Sequence, residues 1–224
     1  MKITFYAHAS FRLETPEVSV VTDPYTPGAS GFEPIDEPAD VVIMSSATDS
    51  FHSDPSHVRG HPIVVNALLD VPPDGIVVRG LPIRAFPVSE SLTFDFGRDP
   101  DANAMYLFTI GGVRVLHMGD VGNPIASGVL SALAGQVDVL LALTGAHATI
   151  ALDDLDDAIA AIDPRIVIPM HYWHERGVLK IEPVERFLLR HPEEMVSRRN
   201  GPSLTIEPDH LPAARQIMVL EQTR

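Results

Sequence analysis

Two short apolar runs, each ending in side chains that bind metals, constrain this chain most. Residues 113–122 read VRVLHMGDVG, an apolar strand that breaks into His117 and Asp120 among glycines. Residues 166–173 read IVIPMHYW, a second β-branched run that ends in His171. An imidazole or carboxylate at the end of a buried strand is a common way to build a metal or acid–base site on an α/β scaffold. The two runs therefore predict one site whose side chains come from the ends of two strands.

Composition excludes several kinds of site and partner. The chain has 224 residues and 45% hydrophobic content, which suits one domain over residues 1–224. Its formal net charge of −14 argues against nucleic acid and anionic membranes as partners. The sequence has no cysteine, so disulfides and thiolate zinc sites are excluded. Any metal site must use His, Asp, Glu, backbone or water.

The sequence carries no targeting signal of a familiar kind. No apolar run of signal-peptide length opens it, and no apolar stretch reaches the length of a membrane-spanning helix. We therefore expect a soluble, cytoplasmic protein. The expected partner is a small-molecule substrate, and the sequence leaves the formation of a homo-oligomer open.

The predicted elements run first as a meander of short strands and then alternate with helices. Strands are predicted over residues 18–22, 39–44, 62–67, 75–79, 81–86, 104–110, 113–117, 137–143, 166–171 and 203–207, with a hairpin or two short strands over 2–14 and a last edge strand over 215–220. Helices are predicted over residues 127–134, with Ser127 as N-cap, 152–162 and 183–190, and polar loops or turns over 24–38, 45–55 and 99–103. This order suits two packed sheets with helices outside them.

Four motifs in order give the chain a recognisable pattern: AHASF at residues 7–11, DPY at 23–25, HMGDVG at 117–122 and IPMHY at 168–172. The chain thereby resembles the metallo-β-lactamase-fold hydrolases, in the branch similar to ascorbate-6-phosphate lactonase. That branch typically runs GHASF, DP, HxHxDH, HAGDTG and IPMHY. The resemblance covers residues 1–173. It implies an α+β fold, the four-layer αββα sandwich, with the site at one edge where strand ends from both halves meet.

The resemblance also implies which residues hold metal. In the family two metals lie side by side, the aspartate of the HxGD segment bridges them, and a bridging hydroxide is the nucleophile. Asp120 matches that bridging carboxylate and is thus a candidate catalytic residue as well as a ligand. His171 matches the last histidine ligand. Both positions keep the family's residue type.

The HxHxDH loop is where this sequence departs from the family. Aligned without a gap, Ser46 and Thr48 replace the HxH pair and Ser50-Phe51 replaces Asp-His. Shifting by one residue places His52 on the final histidine, and either way the HxH pair is lost. A later family histidine should fall within residues 86–91, which contain none. Hydroxyl groups are poor substitutes for imidazole at zinc, so we expect the first metal position to be vacant.

A second metal position keeps enough ligands for one divalent ion, zinc or manganese. His52, Asp120 and His171 supply three nitrogen and oxygen donors, and Asp49 is a candidate fourth. Three protein ligands plus water is the pattern of catalytic zinc, which lowers the pKa of its water to roughly 7. His52 and Asp49 also fit an alternative description as ordinary residues of a polar loop.

Five further residues are assigned roles around that ion. His8 or His117 is expected to act as general acid, a role typically worth about 10²–10⁴ in rate. Asp23 is expected to orient a ligand histidine, and His147 and His174 to line the substrate pocket or its mouth. A buried, hydrogen-bonded histidine and a turn aspartate are the alternative descriptions of these side chains.

Three functions remain open at this point. The first is a metal-dependent hydrolase of a small ester, lactone or phosphorylated metabolite with one metal site, which the presence of His52 and Asp49 in the loop favours. The second is a metal-free, catalytically inactive member of the fold that binds a small molecule, which the loss of the HxH pair favours. The third, a purely structural subunit of an oligomer, has no residue that argues for it.

Overall fold

The computed structural model describes residues 1–46, 48–49, 51–90, 103–147 and 149–224. Its strands are β1 (Lys2–Ala7), β2 (Ser10–Glu14), β3 (Ser19–Thr22), β4 (Val41–Met44), β5 (Ile63–Asn66), β6 (Ile76–Val78), β7 (Leu81–Val88), β8 (Asn103–Ile110), β9 (Val113–His117), β10 (Val139–Leu143), β11 (Ile166–Met170), β12 (Val196–Arg198), β13 (Ser203–Thr205) and β14 (Gln216–Val219). Its α-helices are α1 (Pro27–Ser30), α2 (Ala67–Asp70), α3 (Ser127–Leu133), α4 (Leu152–Ile162) and α5 (Val184–Leu188). Most of the turn predicted over 99–103 lies outside the described residues.

Two mixed sheets carry the fold within the described residues. The first sheet has the order β13-β1-β2-β3-β4-β5, and the second has the order β12-β14-β11-β10-β9-β8-β7-β6. The strands β3, β4 and β5 run parallel to one another, as do β9, β10, β11, β14 and β12. This architecture of two sheets with few helices confirms the predicted fold class.

Alternation along β4 shows why this strand is buried on both faces. Val41 and Ile43 belong to the main core cluster between the sheets, which also contains residues of β8, β9 and β10. Val42 and Met44 point the other way, into a smaller cluster that the segment after β3 covers. Successive side chains of a strand lie on opposite faces, so a continuous apolar run indicates a strand covered on both sides.

The helix α4 packs against the main core, and its bounds are those predicted from the sequence. Leu155, Ile159 and Ile162 are buried in the main core cluster, as the apolar spacing of the helix requires. The predicted N-cap of α3 was wrong. The cap residue is Ala126, which makes no side-chain bond, and Ser127 is the first residue of the helix.

The C-terminal strand lies inside its sheet, so the predicted edge position was wrong. β14 pairs with β11 on one side and with β12 on the other. Within the described chain, β12 forms that edge instead. The sequence missed β12, α1 and α2, since three or four residues are too few to show a periodicity.

The ends of the parallel strands determine where polar residues meet. Asp23 follows β3, Ser45 follows β4, and His171 follows β11, while His117 is the last residue of β9. Carboxyl ends of parallel strands are the usual location of sites in such sheets. No helix in the described chain has the length and apolar character needed to cross a membrane.

Candidate metal centre

Asp23 is the centre of a fully buried hydrogen-bond network. Its Oδ1 accepts bonds from the Ser45 N–H at 2.8 Å and the Tyr106 hydroxyl at 3.0 Å. Its Oδ2 accepts bonds from the Ser45 hydroxyl at 2.6 Å and from Nδ1 of His52 at 2.9 Å. Burial raises the pKa of the Asp23 carboxyl, but His117, His52 and Ser45 more than offset this, so the pKa lies below its ordinary value. Asp23 is therefore an ionised carboxylate that fixes the ring of His52.

His52 presents one ring nitrogen to the centre because Asp23 occupies the other. Its Nε2 lies 3.7 Å from Oδ2 of Asp120 and has no hydrogen-bond partner among the residues described. Burial lowers the pKa of His52, but Asp120, Asp23 and Asp49 outweigh it and raise the pKa to about 10. The three carboxylates thus favour a positive charge at this point, whether a proton or a metal ion.

Asp120 and His171 approach from the second sheet. Oδ1 of Asp120 lies 3.5 Å from Nε2 of His171, and both residues are buried. Two tetrahedral ligands at 2.0–2.1 Å from one zinc ion are separated by roughly 3.3 Å. The spacings of Asp120 to His171 and to His52 are therefore close to those of ligands that share an ion.

A tight turn fixes the Asp120 backbone. Gly119 has φ +63°, and a Cβ atom there would lie 2.6 Å from Oδ1 of Asn103 and 2.8 Å from Cβ of Ser45. The same Oδ1 of Asn103 accepts a 3.1 Å bond from the N–H of Asp120. Only glycine meets both requirements, a left-handed backbone and no side chain.

Three site residues other than glycine share an unusual backbone conformation. His8, Asp23 and His171 have φ of +57°, +36° and +52°. Such conformations cost about 1–3 kcal/mol each and cluster at functional sites, where the surroundings impose them. The backbone itself links two of the residues, because the N–H of His171 donates a 2.7 Å bond to the carbonyl of His8.

His8 has a neutral imidazole beside His52 and His171. Burial, followed by the neighbouring His171 and His52, lowers the pKa of His8 well below its ordinary value. The side chain also lines a narrow cavity beside the centre. The general-acid role of His8 stays a prediction.

His117 does not fit the predicted role of general acid. Its Nε2 donates a 2.8 Å bond to the carbonyl of Ala9, and its Nδ1 accepts a 2.9 Å bond from the N–H of Gly119. Burial lowers its pKa, so both bonds describe a neutral ring whose nitrogens are engaged. His117 therefore ties β9 to the turn after β1.

The loop after β4 brings one more carboxylate to the centre. One oxygen of Asp49 belongs to a group with His52 and Asp120 whose ligand atoms lie within 4.8 Å of one another. The Ser46 and Thr48 hydroxyls form a 3.3 Å hydrogen bond with each other. Asp49 thus lies near His52 and Asp120, its role as a fourth ligand stays a prediction, and Ser50 lies outside the described residues.

The two predicted pocket histidines have different surroundings. His174 is half-buried and lines the cavity beside His8, with its ring 6.0 Å from that of Phe32. His147 is exposed, beyond a turn at Ala146 with φ +57°, and is not among the residues that line this cavity. The pocket role predicted for His147 stays a prediction.

Ser45, Tyr106 and Asn103 belong to the site but were not predicted from the sequence. Ser45 and Tyr106 complete the set of donors around Asp23, and Asn103 holds the turn before Asp120. The one signal in the sequence is a tyrosine hydroxyl within an apolar strand, since a buried tyrosine usually needs a partner for its hydroxyl. Nothing in the sequence identifies that partner.

The donor set fits a divalent cation. Imidazole and carboxylate groups are the ligands that zinc and manganese accept in the absence of thiolates. The Nε2 atom of His52 is buried and has no other partner in the described chain, and a cation between the imidazoles and Asp120 would satisfy it. The residues named as ligands could therefore hold such an ion.

Comparison with known proteins agrees with this fold. The family model described as "Beta-lactamase superfamily domain" matches residues 2–171. A UPF0173 protein of Pyrococcus abyssi (strain GE5 / Orsay) is 30% identical over 77% of this chain and 83% of its own. A UPF0173 metal-dependent hydrolase of Thermococcus onnurineus (strain NA1) is 26% identical over 77% of this chain and 84% of its own.

Two solved structures are similar to this chain in fold. A crystal structure from Thermotoga maritima, assigned as a Zn-dependent hydrolase of the metallo-β-lactamase superfamily, has a TM-score of 0.76 and 26% identity, covering 99% of both chains. The isothiocyanate hydrolase from Delia radicum gut bacteria shares the fold, with a TM-score of 0.68 and 14% identity over 93% of this chain and 100% of its own. The finer resemblance to ascorbate-6-phosphate lactonase stays a prediction. The chain belongs to the metallo-β-lactamase-fold superfamily.

Proposed function

We propose that this protein is a hydrolase that binds one divalent metal ion, zinc or manganese, and cleaves a small uncharged ester or lactone. The observation that carries the proposal is the position of Asp120, whose carboxylate oxygens lie 3.7 Å from Nε2 of His52 and 3.5 Å from Nε2 of His171. A bound divalent ion would supply Lewis-acid activation of water near neutral pH.

Each residue has a separate task in this proposal. His52 and His171 bind through Nε2, and Asp120 contributes the negative charge that compensates a dication. Asp23 keeps the proton of His52 on Nδ1, which leaves Nε2 available. Asp49 is the further carboxylate within reach of the same ion.

The lining of the adjacent cavity supports an uncharged substrate. The side chains include Phe32, Phe51, Leu179 and Ile181, while the described lining contains no lysine or arginine. Recognition of phosphate usually requires such cations. A phosphorylated metabolite is therefore the less favoured substrate, and the net charge of −14 points in the same direction.

A second candidate function is a metal-free protein that binds a small molecule without catalysis. The loop after β4 favours it, because Ser46 and Thr48 stand where the resembled family has two histidines. Both hydroxyls bond to each other rather than presenting a strong ligand. This function predicts that no divalent ion binds at micromolar concentration.

Calorimetric titration of chelator-treated, tag-free protein with zinc and manganese tests the proposal. We expect one equivalent to bind, and binding to be lost in Asp120→Asn and His171→Asn, because asparagine tolerates the φ of +52° at position 171. The control is His174→Asn, which should bind as wild type does. Two equivalents would contradict the single site, and no binding would favour the second candidate function.

Substrate class is tested in the same preparations. We expect the metal-loaded enzyme to hydrolyse p-nitrophenyl acetate faster than p-nitrophenyl phosphate, and metal removal to abolish the difference. A preference for the phosphate ester would contradict the uncharged substrate while leaving the metal site intact.

A further inference from the structure

His8 lies in the turn between β1 and β2, directly against the proposed metal ligands. Its side chain is 3% exposed, and its carbonyl accepts a 2.7 Å bond from the N–H of His171. Its ring centroid lies 3.9 Å from that of His171 and 5.1 Å from that of His52. A third region of the chain thus delivers an imidazole to the same point.

The nitrogen atoms of these three rings face a common space. One nitrogen from each of His8, His52 and His171 lies within 4.8 Å of the other two. Nε2 of His8 and Nε2 of His52 are both buried, and neither has a hydrogen-bond partner in the ranges that the structure describes. A buried polar atom without a partner is destabilising, so two at one point indicate that a shared partner belongs there.

We propose that His8 is a direct ligand of the metal ion, so that His8, His52 and His171 supply three imidazoles to one centre together with Asp120. This inference rests on the proposed function, which places a divalent ion at the centre. In the resembled family the HxHxDH loop supplies three histidines, whereas residues 46–52 of this chain contain one. His8 replaces part of the lost imidazole set from a different element of the fold.

His52 also explains why the centre takes a single ion. It belongs both to the group with His8 and His171 and to the group with Asp49 and Asp120. Its Nδ1 is bonded to Asp23, so one ring nitrogen is left for a metal. The two groups therefore cannot each hold an ion through His52.

The test is His8→Asn, with His174→Asn as the matched control. Asparagine tolerates the φ of +57° at position 8 but is too short to reach the same point. The control residue lines the same cavity and is no ligand in this proposal. Two quantities are measured, the dissociation constant for zinc by chelator competition and the number of coordinated imidazoles by electron spin echo envelope modulation of the copper(II)-loaded protein.

We expect three coordinated imidazoles in wild type and two in His8→Asn. We also expect zinc affinity to fall by at least about 100-fold, more than the loss typical of a residue that only supports a ligand. His174→Asn should match wild type in both measurements. Thermal unfolding of the metal-free proteins checks that His8→Asn is folded.

The outcomes separate this inference from the proposed function. If wild type binds zinc and His8→Asn keeps its affinity and imidazole count, His8 is no ligand although the metal site stands. If wild type binds none of zinc, manganese and copper, both proposals are wrong. If His8→Asn does not fold, the wild-type count decides, since two imidazoles would reject His8 and three would support it.

Discussion

Nδ1 of His52 donates a 2.9 Å hydrogen bond to Oδ2 of Asp23. Asp23 also accepts hydrogen bonds from three further donors, the N–H and the hydroxyl of Ser45 and the hydroxyl of Tyr106. The bond determines which nitrogen of His52 faces Asp120. It also joins the loop after β4 to the end of β3, both in the first sheet. The orientation of a ligand and the packing of the loop therefore depend on one carboxylate.

Replacing Asp23 should weaken metal binding without touching a ligand. In Asp23→Asn one of the two acceptor oxygens becomes an NH₂ donor, so the amide cannot accept all four bonds that the carboxylate accepts, and His52 loses its fixed orientation. We expect zinc affinity to fall by about 10–100-fold, as is usual when the partner of a ligating histidine is lost. Calorimetric titration measures the change.

Tyr106→Phe is the control for this prediction. It removes one donor to Asp23, at 3.0 Å, and leaves the bond to His52 in place. We expect a loss of about 1 kcal/mol in the free energy of unfolding and little change in zinc affinity. Equal effects of both variants on affinity would show that the His52 bond has no special role.

A second carboxylate should make stability depend on pH. Asp138 binds Arg114 through Nε at 3.0 Å and Nη2 at 2.7 Å and also accepts from the Arg114 N–H at 2.8 Å. Burial raises the pKa of Asp138, but the bonds and charge of Arg114 outweigh it, so the pKa is lowered in the folded protein. This contribution to stability is therefore present above the unfolded pKa of about 3.9 and is lost as pH falls through the folded value.

Asp138→Asn should consequently lower the free energy of unfolding at pH 7 by about 1–2 kcal/mol, an amount reduced by the partial exposure of Arg114. Its stability should also fall less steeply than that of wild type between pH 5 and the acid range. Urea unfolding across pH measures both effects. Asp157→Asn, on the exposed face of α4, is the control, and a variant curve parallel to that of wild type would contradict the prediction.

The main core depends on the buried face of α4. Leu155 is fully buried, so Leu155→Ala should lower the free energy of unfolding by about 2–5 kcal/mol. Leu189→Ala, at an 85% exposed position, should change it by no more than about 0.5 kcal/mol. Chemical denaturation of the metal-free proteins compares them. A similar effect at both positions would mean that α4 does not pack as described.

The sequence predicts where strands end better than it predicts the loops between them and the order of the strands in a sheet. The apolar runs before His117 and before His171 locate β9 and β11, because a short, continuous apolar run has few alternatives to a buried strand. His52 was ambiguous, since two alignments of the loop differ by one residue and only packing against Asp23 selects its position. The edge position of residues 215–220 was wrong for a similar reason, since the neighbours of a strand are decided by partners remote in sequence.

Side chains beyond the motifs could not be predicted because their roles are set by contacts across sheets. Asn103 is an ordinary polar residue at the start of β8 until Asp120 lies beside it. His117 has a motif position that suggests catalysis, yet the carbonyl of Ala9 and the N–H of Gly119 occupy its nitrogens. A motif gives the residue type, while the neighbours decide which atom remains available.

The turn at Gly119 gives the last prediction, because two glycines with nearly the same backbone differ in their surroundings. Gly119 has φ +63° and a Cβ there would overlap Asn103 and Ser45, whereas Gly135 has φ +69° with no atom within 4 Å. Alanine at either position should cost about 1–2 kcal/mol for the left-handed backbone. Gly119→Ala should lose a further 1–3 kcal/mol or so from overpacking, and it should weaken zinc binding because Asp120 must shift. Urea unfolding and zinc titration of both variants measure this difference, and equal losses of stability with unchanged affinity would mean that the space around Gly119 is larger than described.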